Sequence, residues 1–157
     1  MKSPLASNSP RPLSDYAPLV LRVLLGALFI AHLYLKFAII PGGIHTWWAG
    51  LIKNGYPAYV PYYVLSAEFA AALLLIPGVF SRYVALYAMP MMAGAAQYWL
   101  VRKGFYFTGA GAELPLVWLA LLGLQVILGD GAYALAPSPD LGKIFGGKAS
   151  VQAGQAG

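Results

Sequence analysis

Residues 19 to 40, LVLRVLLGALFIAHLYLKFAII, form an apolar run long enough to restrict sharply what this chain can fold into. A bilayer core takes about 20 mostly apolar residues per helix. Inside the run stand Arg22, His32 and Lys36, and they allow two readings. A soluble core helix would turn them to water along one edge. A membrane helix would have to turn them inward, because an ionised group facing lipid costs about 2.5–3.5 kcal/mol even on the mildest insertion scale.

Composition decides between the two. Only 10% of the residues are charged, against roughly 25% in soluble domains, which is too few to cover the surface of a soluble protein of this size. The chain is therefore read as a membrane protein. Its net charge of +5 is scattered, without a basic patch or a nucleic-acid motif, so it reads as topology-setting loop charge. The absence of cysteine removes disulfides, thiol catalysis and zinc knuckles. No strand–GxGxxG–helix unit is present for a nicotinamide or flavin. The two histidines offer no repeated ligand spacing for metal or haem, and Met89, Met91 and Met92 read as packing.

Four spans are expected: 17–40, ended by Pro41-Gly42-Gly43; 61–76, ended by Pro77-Gly78; 82–101; and 112–128, ended by Gly129-Asp130-Gly131. The fold class is all-α, an integral membrane four-helix bundle. A short amphipathic interfacial helix is expected in the first loop, where Trp47, Trp48, Leu51 and Ile52 recur at helical spacing. Residues 1–16 read as a polar cytoplasmic segment and 17–135 as the membrane domain, its first span a retained anchor. Residues 136–157, rich in Gly, Ala, Ser and Pro, read as a flexible tail. Lys2, Arg11, Arg22, Arg82, Lys143 and Lys148 outnumber Lys36, Lys53, Arg102 and Lys103, which puts both termini in the cytoplasm.

The polar residues inside the spans converge at one depth. At 1.5 Å per residue from the non-cytoplasmic mouth, His32 lies about 12 Å deep, Glu68 about 10 Å, and Lys36 and Gln97 about 6 Å. Glu113 opens the fourth span at the same mouth. His32 and Lys36 differ by about 40° around the first helix and share a face with Arg22. Glu68 is the natural partner of that face, as the one acid near mid-membrane on the second span. Each group also has a plainer reading: Lys36 as a snorkelling side chain, Glu113 as a helix N-terminal carboxylate, and His32 with Glu68 as an inter-helix hydrogen bond.

Residues 67 to 86, AEFAAALLLIPGVFSRYVAL, resemble the signature of DoxX-type membrane proteins, where an acid, small residues, a leucine run, Gly and Arg follow in order. FIAHLYLKF resembles that family's first-helix His…Lys pattern, and AELPLVWLALLGLQVILGDGAYAL resembles its fourth helix. Over roughly residues 17 to 135 the pattern falls on His32, Lys36, Glu68, Gly78, Arg82 and Glu113. It departs at Ala70-Ala71, where the family often has two glycines, and in the closing loop, which lacks a basic residue.

The resemblance implies a small subunit of the bacterial inner membrane that links a partner's redox chemistry to the quinone pool, as in sulfur-compound:quinone oxidoreductases. No covalent cofactor is implied; a partner subunit or a second copy is. On this reading His32 and Glu68 are the catalytic pair that exchanges quinone protons. Phe29, Lys36, Phe69, Gln97, Tyr98 and Glu113 are the candidate binding residues. A non-catalytic anchor or assembly subunit is the alternative. A small-solute carrier ranks third, because the two helix pairs show no inverted-repeat symmetry.

Overall fold

The computed structural model describes residues 13–139. Among them are five α-helices: α1 Tyr16–Tyr34, α2 Gly43–Lys53, α3 Tyr59–Leu74, α4 Ser81–Lys103 and α5 Glu113–Leu128. The described residues form no named strand, only an isolated parallel bridge between Val79 and Ala136. Residues 1–12 of the expected N-terminal segment and 140–157 of the expected tail lie outside the described residues.

Proline and glycine set the helix limits by local chemistry. Pro18, Pro61 and Pro115 each sit in a first turn, where the missing N–H costs nothing. Gly104 and Gly129 follow the last residues of α4 and α5 with φ near +80°, a region that glycine enters freely. Pro90 is the exception, inside α4. It leaves the Leu86 carbonyl without its usual helical donor, and the Tyr63 hydroxyl donates to the neighbouring Tyr87 carbonyl at 2.7 Å.

The helices α1, α3, α4 and α5 close a ring, α1 on α3, α3 on α4, α4 on α5 and α5 on α1. Their core alternates large side chains, Leu25, Phe29, Trp118 and Leu122, with the alanines 67, 71, 85 and 88. Small residues let helix backbones approach, which is how apolar helices gain packing contact where no water drives them together. The outer faces carry Val20, Ile30, Leu73, Leu86, Val101 and Ile127, all exposed. Two segments, 13–39 and 81–103, are long and apolar enough to cross a membrane, while α3 and α5 are shorter apolar helices.

The first span does not end as the uniform α-helix expected. Leu35–Ile39 is a π-turn, with Ile40 N–H bonded to the Leu35 carbonyl at 2.9 Å. The wider turn puts Lys36 inside, 6% exposed, and leaves Leu35, Phe37 and Ile39 outside.

Arg22 also departs from expectation. It does not join the face that meets Glu68. Its guanidinium, 1% exposed, spans the Asp130 and Ala132 carbonyls at 2.6 and 2.9 Å, at the other end of the ring. A planar fork of donors suits two adjacent carbonyls, and Arg22 starts about 15 Å along the helix from His32. Gly78 makes room for it. With φ at +75°, a Cβ there would strike the guanidinium and the Ala134 backbone, so this glycine serves a close approach as well as a turn.

The Asp130 carboxylate accepts from Ser81 N–H, at the start of α4, and from Ser138 N–H, both at 2.7 Å. Ala136 exchanges backbone hydrogen bonds with the 78–80 turn. Residues 136–138, where the flexible tail was expected to begin, are thus tied to the turn between α3 and α4.

Candidate functional site

Lys36 reaches the site from the π-turn after α1, and Glu68 reaches it from the middle of α3. The Lys36 ammonium donates to Glu68 Oε1 as a buried ion pair, the side chains 8% and 2% exposed. The sequence pointed to Glu68 as the partner of the face that carries His32 and Lys36; of the two, the structure pairs it with Lys36. The flexible lysine stem, carried inward by the π-turn, reaches the carboxylate of α3, while the imidazole turns to α5. His32 packs its ring on Trp118 of α5, centroids 4.6 Å apart, and Phe29 meets the same indole in an edge-on contact at 5.2 Å.

A third contact closes the pair from above. The Trp47 ring of α2 lies over the Lys36 ammonium at 4.4 Å, a cation–π arrangement that favours the charged amine where water is scarce. The other carboxylate oxygen, Glu68 Oε2, is buried and has no hydrogen-bond partner among the described residues. An acceptor in that state carries a desolvation cost of about 1–3 kcal/mol.

Lys36, Glu68 and His32 form the floor of a cavity of about 650 Å³. Its walls are apolar, with Val64 of α3, Met91 and Trp99 of α4 and Leu114 of α5 among them. Helix α2 is the roof. Trp47, Gly50 and Leu51 lie on one face of α2 and line the cavity, joined by Asn54 just past the helix end, while Ile52 and Lys53 are exposed on the outer side. The Trp48 ring docks edge-on to Tyr62 at 4.5 Å, and Asn54 accepts from Arg102 of α4 at 3.2 Å, so the roof is held to both α3 and α4. The interfacial helix that the tryptophan spacing predicts is present; its role as a cover over a cavity was not legible there.

Of the residues expected to serve the site, His32, Lys36, Glu68 and Tyr98 line the cavity. Phe29 stands behind Trp118, in the packing that supports the wall. Phe69 does not line the cavity: it is 43% exposed and meets Phe37 on the outer surface, centroids 6.1 Å apart. Gln97 is exposed on α4. Glu113 accepts from Phe107 N–H at 2.9 Å and so fastens the loop before α5. Sequence reasoning missed Trp118 as a wall residue. Its signal was a tryptophan placed mid-helix instead of at a span end, where the interface attracts that side chain.

A family model described as DoxX matches residues 17–103, more than half of the chain. The comparisons with curated proteins and with solved structures return no match.

Proposed function

The chain belongs to the DoxX family and is a small membrane protein, and we propose that it holds a quinone head group in the covered cavity as a membrane subunit of a redox complex. On this reading α1, α3, α4 and α5 all cross the bacterial inner membrane as a four-helix bundle. Helix α2 lies at the non-cytoplasmic interface. Helices of sixteen residues, as α3 and α5 are, span about 24 Å and need flanking residues to cover a core of about 30 Å. The quinone receives two electrons from a redox partner subunit and two protons by way of Glu68 and His32, becoming the quinol.

The observation that carries the reading is the cavity itself: apolar walls wide enough for a substituted ring, and a floor with donor and acceptor groups side by side. Ligand sites of this size are mostly apolar with a few placed polar groups. Lys36 supplies donors for a carbonyl, and an imidazole nitrogen can take up and release a proton.

Gly94 lines the cavity, and a Cβ built on it meets nothing within 4 Å. Gly94→Leu therefore starts its side chain from open space at the cavity wall, takes up room there, and replaces a helix-weakening glycine. We expect a short-chain quinone to raise the thermal stability of the detergent-solubilised protein, and Gly94→Leu to remove that rise while the unliganded variant stays folded. A quinone-dependent rise that survives Gly94→Leu places the ligand elsewhere. Recovery of the protein without any redox subunit from native membranes, with no response to quinone, favours the anchoring reading.

Orientation has its own test, made clean by the absence of native cysteine. Cysteines at exposed Lys53 and Lys103 should react with an impermeant reagent on spheroplasts. Labelling only after permeabilisation reverses the topology.

A further inference from the structure

Helix α2 covers the cavity, held down by Trp47 over the Lys36 ammonium and by Trp48 against Tyr62. The seam between α3 and α4 is tied at two heights. Lower down, the Tyr63 hydroxyl donates to the Tyr87 carbonyl, and the Ser66 and Tyr87 hydroxyls share a hydrogen bond at 2.8 Å. Higher up, the link into α3 meets α4 through Tyr56 and Tyr98, centroids 5.9 Å apart, and through Asn54 and Arg102. About 16 Å of helix separates Tyr87 from Tyr98.

Between these ties the cavity reaches the outer side of α4. Pro90 and Gly94 both line it and both are exposed. At about 100° per residue they lie about 160° and 120° around the helix from buried Ala88, in the direction that Tyr87 takes to meet α3. A Cβ built on Gly94 meets nothing within 4 Å, so no side chain of α3 packs over this point. On the α3 side, Val60 and Tyr63 line the same cavity.

We propose that the cavity opens sideways into the bilayer through this window between α3 and α4, and that its ligand is a lipid-borne molecule with a single hydrocarbon tail. The head rests on the floor and the tail leaves past Val60 and Gly94. The inference rests on the quinone-site reading and adds the route of entry and the class of ligand. A space of about 650 Å³ takes a ring with short substituents, and a long tail needs an exit. The window supplies one with an apolar rim, valine on one side and proline and glycine on the other. A tail there stays in contact with lipid and never crosses water. The gap is that of one missing side chain, at Gly94, which suits one tail rather than the paired chains of a phospholipid.

The test is photolabelling of the full chain in lipid vesicles by a quinone that carries a diazirine on its tail, a few carbons from the ring. Excess tailless quinone of the same head removes label that depends on the site and leaves label from probe dissolved in the bilayer. Most of the displaceable label should fall on Pro90 and Gly94 of α4 and on Val60 of α3. A tail coiled within the cavity would label Met92 and Trp118, one leaving between α1 and α5 would label Leu35 and Leu114, and one leaving under the roof would label Leu51. Each of those three patterns overturns the window while the quinone-site reading stands. Absence of displaceable label also overturns the window, and if quinone then fails to raise the thermal stability, the quinone-site reading falls with it.

Discussion

Glu68→Leu should destabilise the protein by about 3–5 kcal/mol, and adding Lys36→Met should recover most of that loss. The single change leaves the Lys36 ammonium buried with the Trp47 ring as its remaining partner, and an aromatic face replaces a carboxylate only in small part. The double change removes both charges and fills the floor with side chains of similar volume. Replacing a buried ion pair in this way is often neutral or stabilising. Unfolding in detergent, followed by heat and by denaturant, gives the two single losses and the double loss for a mutant cycle. Additive losses would mean that Lys36 and Glu68 are not coupled. The double variant should also lose the quinone response, since the ion pair's donor and acceptor are then gone from the floor. The same comparison with His32→Ala should show near-additivity with Glu68→Leu, because the imidazole packs on Trp118 and not on the carboxylate.

At the other end of the ring, Asp130→Ala should cost about 2–4 kcal/mol. Its carboxylate satisfies two backbone donors, Ser81 N–H and Ser138 N–H, and accepts from the Ser138 hydroxyl at 3.1 Å. Leaving a buried donor unmet costs about 1–3 kcal/mol, and the first turn of α4 also loses a negative group at its positive end. Asp130→Asn keeps one acceptor oxygen and should cost about half as much. The Arg22 contacts fall on the carbonyls of Asp130 and Ala132, which both substitutions retain. Hydrogen exchange should therefore speed up in the first turn of α4 and at residues 136–138, and change little in α1. Faster exchange spread evenly through α1 would show that the network at this end acts as one unit. Because the cavity lies at the opposite end, the quinone response should persist in Asp130→Ala.

Much of this architecture was legible from local rules. The apolar runs, with proline in first turns and glycine after the ends, placed α3, α4 and α5, and α1 together with its π-turn, to within a few residues of their observed limits, and the tryptophan spacing placed α2. Rise per residue put His32, Lys36 and Glu68 at one depth, and all three line one cavity. Direction around each helix was not legible in the same way. A helix that is apolar on every side gives no period from which to read its inner face. Gln97 and Phe69 share the depth of the site, yet they point outward.

The sequence by itself determined the all-helical class, the helix limits and the depth of each polar group, because those depend on residue type and on distance along one helix. Only the tertiary structure decided that Lys36 takes Glu68, that α2 covers a cavity, that Arg22 and Asp130 fasten the far end, and that residues 135–138 return to the turn after α3. No proline or glycine lies within LKFAI to mark the π-turn that brings Lys36 inward. Each of these outcomes depends on rotation about helix axes and on distances between helices, which are set when side chains from different helices fill one another's gaps.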